Sequence, residues 1–266
     1  MNRVGRVGLA NPPTDAERLK LASTFRCKRA GSAVLALLAQ PGRPLVGNLC
    51  FRVVAMTESY RAALPQVVLD RYDFAETRNA ARILQATNPD QFTDLVAVLE
   101  GFALDPVVDL PAGGNESPTA ARLNHAFRDR GWAEATYKVK ISGELVLRRA
   151  GSPVVELSGE TEPASYNVDN VKGRVALDVE WHAKDGNLDR DIAAYRSFYD
   201  AGLIDCAVMV TMTRESLRLW ALGFDPSSGK FGTSTTTNLT KVIPKLDRGD
   251  GGGCPILIAS ICARTI

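Results

Sequence analysis

The stretch NVDNVKGRVALDVEWHAKDGNLDRD, Asn167 to Asp191, constrains the chain most, because it sets carboxylates inside an otherwise apolar run. Asp169 opens the run, Asp178 and Glu180 flank Val179, and Trp181, His182 and Lys184 follow. Side chains of an extended segment alternate between faces. Asp178, Glu180 and His182 are therefore expected on one face, and Leu177, Val179 and Trp181 on the other. The apolar face predicts a strand anchored in a core, and Lys172-Gly173 predicts the turn that joins it to a preceding strand carrying Asp169. Desolvating several carboxylates on the other face is costly unless a cation or hydrogen bonds compensate. A solvated edge strand would avoid the cost, and a divalent metal would offset it.

Oxygen-rich ligands suit Mg²⁺ or Mn²⁺, whose usual work is phosphoryl chemistry. Zinc fits poorly, since His125 and His182 are the only histidines and no cysteine pair has ligand spacing. Ser-His-Asp chemistry lacks a nucleophile-elbow motif. Cys27, Cys50, Cys206, Cys254 and Cys262 show no C-x-x-C spacing and read as reduced thiols of a cytoplasmic protein.

The remainder of the chain predicts an α/β (α+β) fold, with a mixed central β-sheet flanked by helices. Residues 59–103 read as helices from apolar recurrence at three and four positions, with Asn88-Pro89-Asp90 as one start. Ser117-Pro118 predicts the cap and first turn of another helix, whose inner face holds Leu123, Ala126 and Phe127. From Trp132 the period becomes alternating: ATYKVKISGELVLRRAG predicts a hairpin turning at Ser142-Gly143, DRDIAAYRSFYDAG a helix, and IDCAVMVTMT a covered strand. LRLWALGF and CPILIASIC read as two further strands, separated by loops at 226–238 and 247–253. Residues 1–55 lack a sustained period and read as a disordered or mis-assigned extension, with 56–266 a single domain. Its part 56–131 is mainly helical, and 132–266 holds the sheet and the recognition loops.

With 266 residues, 45% hydrophobic and 23% charged, the chain can bury a sizeable core, while a net charge of +2 announces no polyanion by itself. No apolar run reaches the roughly 20 residues of a membrane span, so no membrane partner is expected. The run SAVLALLAQ behind Arg26, Lys28 and Arg29 copies part of a signal peptide but is short and lies far inside the chain.

Asp169, eight intervening residues and then Asp178-Val179-Glu180 resemble the restriction-endonuclease form of the PD-(D/E)xK nuclease core, in particular the BglII and BamHI-like group. GGNESP, FRDRGW, VEWHAKD, AVMVT and FGTSTTTNLTKVIPKL before GGGCPILI occur in agreeing order, so the resemblance spans about residues 60 to 262. It implies a restriction-endonuclease-like core and a metal-dependent type II enzyme that hydrolyses phosphodiesters at a specific site, expected to be palindromic, in double-stranded DNA. Mg²⁺ is the implied cofactor, with Mn²⁺ possible. The alternatives are a non-catalytic DNA-binding module on the same fold, or a methylation-dependent or repair nuclease.

Carried over by position, Asp169 and Asp178 would ligate the metal, Val179 would offer its carbonyl, and Glu180 would stand where many such nucleases have lysine. Lys184 is the nearest cation for the catalytic set, and Glu116 is an additional acid for the metal. A shifted alignment would make Glu180 the second acid and His182 the third residue. DNA contacts are expected from Arg214, Thr233, Ser234, Thr235, Thr236, Asn238 and Lys241, whereas Arg190, between Asp189 and Asp191, reads as an internal ion pair. A palindrome implies a homodimer. A cognate DNA methyltransferase is expected as a genetic partner.

Overall fold

Val175, Leu177 and Val179 pack into one buried apolar cluster while Ala176, between them, packs into another, so the alternation expected of this stretch is realised with both faces covered. The computed structural model describes residues 56–109, 117–149, 152–162, 165–224 and 236–266. Strands β1 (Met56–Thr57) and β2 (Tyr72–Thr77) are interleaved with helices α1 (Tyr60–Ala63), α2 (Gln66–Arg71), α3 (Ala80–Thr87), α4 (Pro89–Gly101), α5 (Pro106–Asp109) and α6 (Pro118–Arg128). Next come β3 (Ala133–Tyr137), β4 (Ile141–Arg149), β5 (Ser152–Thr161), β6 (Tyr166–Lys172) and β7 (Val175–Val179). The chain continues through α7 (Asp185–Asp200), β8 (Cys206–Met212), α8 (Arg214–Leu222), α9 (Leu239–Arg248) and β9 (Ile256–Ile261).

The central sheet runs β1-β2-β9-β8-β7-β6-β3, and β4 and β5 form a separate ribbon. β7, β8 and β9 are parallel, and the outer pairs are antiparallel. Every residue of β8 is buried, as expected of a parallel strand covered on both faces. One cluster joins β7, β8 and β9 to Leu84, Leu95, Leu99, Leu123, Phe127 and Leu217. The other joins them to Leu188, Ile192 and Tyr195 of α7 and Val242 and Leu246 of α9. The mixed sheet between helical layers is the fold class expected. Helix starts at Asn88 and Ser117 are as read, the latter with Ser117 Oγ accepting from the Ala120 amide at 3.1 Å. Cys206, Cys254 and Cys262 are buried and free.

Four readings are corrected. The segment 59–103 contains β2, because five of its residues, Tyr72 to Glu76, pair with β9, a partner nearly two hundred residues away that no local period records. LRLWALGF lies in helix α8 and beyond: Leu217 and Ala221 are buried four residues apart while Leu219 is 74% exposed, a helical rather than alternating pattern. Ser142-Gly143 lies within β4, facing Glu160 and Gly159 of β5, and is not a turn. LTKVIPKLDR, unassigned by sequence, is α9, capped by Asn238 Oδ1 on the Lys241 amide and closed by Gly249 at φ +95°. The extension 1–55 lies outside the described residues.

Glu76 of β2 shows how this fold can bury a carboxylate. Its side chain, fully buried, accepts from the amides of Ser59, Tyr60 and Ala81 and from Thr57 Oγ1. Two helix starts are tied to the sheet through one acid. Glu76→Ala strands these donors, and each buried unsatisfied group costs about 1–3 kcal/mol. A clear fall in the urea midpoint is expected, and an unchanged midpoint would contradict this role.

Candidate active site

The β6–β7 ladder pairs Lys172 with Val175, Val171 with Ala176 and Asn170 with Leu177, across a turn in which Gly173 takes φ +57°. Beyond Asn170 and Leu177 the backbone donors turn to carboxylates instead. The Asp169 amide donates to Asp178 Oδ1 at 2.8 Å, and the Val179 amide donates to Asp169 Oδ2 at 3.1 Å. Each acid thereby satisfies a buried backbone group that the ladder would otherwise have bonded, and each fixes the strand that carries the other. The two side chains stand side by side where the strands part.

Glu180 follows at the end of β7. Its amide donates to the Val210 carbonyl at 2.8 Å, and its own carbonyl accepts from Thr211 Oγ1 at 3.1 Å and Thr237 Oγ1 at 3.3 Å. This pins the strand end but leaves the carboxylate turned to α7. His182 then takes φ +60°, ending the extended period before it can join the acidic face. Burial lowers the His182 pKa.

Helix α7 presents Asp191 and Tyr195 to this face. Asp191 is 3% exposed, and its Oδ1 accepts from Arg190 Nε at 3.1 Å. The Tyr195 hydroxyl lies within reach of both the Val208 carbonyl, at 3.2 Å, and Asp178. Burial first, and then the Asp169 charge, push the Asp178 carboxyl up to about 7. Burial and the adjoining Asp191 carboxyl push Glu180 up to about 9. For Arg190 burial opposes the charge, but Asp191, Glu180 and Asp178 outweigh it and raise its pKa. The site is thus a pocket of desolvated carboxyl groups in which burial and like charge favour the protonated forms.

Of the residues expected from sequence, Asp169, Asp178, Val179 and Glu180 are brought together, the first two in direct contact through the Asp169 amide and Asp178 Oδ1. Lys184 is exposed at the start of α7, where its backbone bridges to Thr236. Thr236 and Asn238, expected on a DNA-contacting loop, are 6% and 2% exposed, and the Asn238 side chain caps α9. Thr236 and Thr237 clasp the segment that leaves β7: Thr236 bridges to Lys184, and the Thr237 amide donates to the Ala183 carbonyl. The Asn238 side chain, expected to contact DNA, has its amide and carbonyl both engaged within the fold. Lys241 lies in the first turn of α9 and is half-buried; Arg214 opens α8, three residues after Thr211, with a buried Nε that meets no acceptor among the described residues. Glu116, Thr233, Ser234 and Thr235 lie outside the described residues. Arg190 pairs with Asp191 as expected, and Asp189 with Lys245 at 2.5 Å. Asp191 itself was missed, although its spacing from Leu188, Ile192 and Tyr195 marks an acid on an apolar helix face.

Among the described residues no three His, Cys, Asp or Glu side chains form a ready-made metal cage. The donor set nonetheless fits a hard cation. Glu180 Oε2 and Asp191 Oδ2 are buried oxygens without a hydrogen-bond partner among the described residues, and Mg²⁺ commonly takes only one or two carboxylates, filling its shell with water and phosphate.

Raised carboxyl pKa values set the sign of a pH effect. The folded, metal-free protein holds more protons than the unfolded chain above the ordinary carboxyl range, near pH 4, and up to the raised values of about 7 and 9. Stability from these groups is complete at low pH and is lost as pH rises through that window. Without metal, Asp178→Asn is expected to raise the melting temperature at pH 8 more than at pH 5. An equal shift at both pH values would contradict the burial of a charge here.

Comparison with curated proteins returns no match. The family profile described as Restriction endonuclease BglII/BglIII matches residues 72–261, more than half of the chain and every strand from β2 to β9. That span carries the paired aspartates, Glu180 and the helix behind them, and the chain belongs to this family of type II restriction endonucleases, which cut double-stranded DNA at specific sites.

Proposed function

We propose that Asp169, Asp178 and Glu180 form the catalytic centre, acting with Mg²⁺, or Mn²⁺ in its place, on one phosphodiester of each DNA strand. The observation that carries this reading is the mutual bonding of Asp169 and Asp178 at the point where β6 and β7 part. A bound divalent ion supplies neutralisation of the phosphate charge and acidification of water. Asp169 and Asp178, with the Val179 carbonyl, would hold it. Glu180, at the end of the same strand, is the group proposed to accept the proton of the attacking water, once a bound cation has favoured its ionised form over the protonated one that burial and Asp191 favour. Attack at phosphorus breaks the bond to the 3′ oxygen and leaves a 5′-phosphate and a 3′-hydroxyl.

Lys184, exposed at the edge of this space, and Arg214, with a donor left over at the same end of β8, are the cations proposed to meet DNA phosphates; such contacts set register rather than sequence. Lys241 extends that role to α9, and Thr233, Ser234 and Thr235 are proposed to contact DNA from the adjoining segment. Glu116 is proposed as an additional acid. A palindromic site on two antiparallel strands calls for two copies of the chain, so a homodimer is proposed. A cognate methyltransferase, acting in the same cytoplasm, would protect the host genome. Among the described residues no helix is long and apolar enough to cross a membrane.

The test is digestion of unmethylated phage DNA with Mg²⁺, followed by sequencing of the ends. Discrete fragments are expected from the wild type. Asp178→Ala should lose more than about a hundredfold in rate, the order lost when one essential electrostatic group is removed, while still shifting duplex DNA on a gel. Cutting by Asp178→Ala at the wild-type rate would overturn the assignment.

A further inference from the structure

The β4–β5 ribbon carries apolar residues that the rest of the fold leaves uncovered. Among the described residues its two strands pair only with each other. Ile141, Leu145 and Val146 are 54%, 49% and 45% exposed, although the apolar residues of an antiparallel pair normally face a core. A lone two-stranded ribbon is at best marginally stable in water, and it gains independent stability from a further strand or a helix laid against it.

The two outer edges of the ribbon differ. Pro153 stands in the β5 ladder, and a proline there turns its donorless nitrogen outward. The register also skips Glu156, since Leu145 pairs with Leu157 and Val146 with Val155. Proline and a bulge are the usual devices that close an edge to further pairing. β4 has neither, for ISGELVLRR runs without a proline and without a skipped residue. Its sequence also selects what can lie beside it. ELVLR, Glu144 to Arg148, is complementary to itself in the opposite direction. Antiparallel pairing of two copies about Val146 sets each Glu144 opposite the other copy's Arg148, Leu145 opposite Leu147, and Val146 opposite Val146. Opposite charges and apolar side chains directly across a ladder are favourable pairs. At the ribbon's foot Lys140 is already met within the chain by Glu160 and Glu162, at 3.7 and 2.6 Å. From Lys140 to Glu162 the chain holds three basic and four acidic residues, a balance that suits a second copy better than a polyanion.

We infer that the β4 edge is an interface between two copies of this chain, joined antiparallel about Val146 into one four-stranded sheet. The inference rests on the homodimer given under Proposed function and deepens it by naming the surface. A two-fold axis through Val146 makes the contact isologous, so the same edge serves both copies and the assembly closes at two. Pairing also takes up the backbone donors and acceptors of an edge that is otherwise open to indiscriminate strand addition.

The test is sedimentation velocity of the full chain, with and without duplex DNA, on the wild type, Glu144→Arg and the exchanged pair Glu144→Arg with Arg148→Glu. The wild type is expected as a dimer. Glu144→Arg sets like charges across the ladder at both ends and should raise the dimer dissociation constant about tenfold, and the exchange should restore it. On mild oxidation Val146→Cys, with Cys27 and Cys50 replaced by serine, should link copy to copy by a disulfide. Ser142→Cys in the same background should not, because this register holds the two copies of position 142 about 27 Å apart. A dimer whose dissociation constant is unmoved by Glu144→Arg, or one that Val146→Cys fails to link, overturns the inference and leaves the homodimer with another interface. Tighter DNA binding by Glu144→Arg at an unchanged dimer constant overturns it too and assigns the ribbon to DNA. A wild type that stays monomeric both free and on DNA overturns the interface and the homodimer together. The disulfide decides the matter even where Glu144→Arg fails to fold.

Discussion

The exchange between Asp169 and Asp178 is the constraint on which the site depends. An antiparallel hairpin ordinarily continues until its donors and acceptors run out of partners. Here two donors, the amides of Asp169 and Val179, are taken by the two aspartates, so the strands part without leaving buried polar groups unmet. Two like charges are held side by side, each fixed by the other strand's backbone. The arrangement would be unstable in isolation, and it gains its sense from a positive partner.

Everything around it keeps the aspartates from relaxing. β7 lies between β6 and β8, and both of its faces are covered, so the chain cannot swing Asp178 into water. Thr211 and Thr237 grip the Glu180 carbonyl from either side. On the opposite face of β6 the neighbouring Asn170 donates to Asn124 of α6 at 2.8 Å, linking the strand to the helical layer. Such rigid support is what holding a reactive phosphate in register requires. The contrast with Glu76 separates two uses of a buried acid: saturated with amides it builds the fold, and left open it awaits a ligand.

The period-two pattern of RVALDVEW was sufficient to place Asp178 and Glu180 on one face, because a covered strand has only two faces to choose from. Its pairing with the Asp169 strand was legible from Lys172-Gly173. What local pattern could not supply was long-range pairing and the choice between periods in short apolar runs. β2 owes its extended state to β9, and α8 was misread because LRLWALGF is short and apolar enough to suit either state. Thr236 and Asn238 looked like a polar loop, since nothing in TSTTTN announces that its end is buried against the end of β7. Asp191 was hidden among the charges of DRD; only the helical register of Leu188, Ile192 and Tyr195 distinguishes it from its solvent-facing neighbours.

The central claim is that these carboxylates converge to bind divalent ions. Anomalous diffraction from crystals soaked in Mn²⁺ tests it most directly. The account predicts an anomalous peak contacting Asp178, in the space bounded by Asp169, Glu180 and Asp191. Peaks confined to the molecular surface, with the four acids unchanged at saturating Mn²⁺, would contradict it.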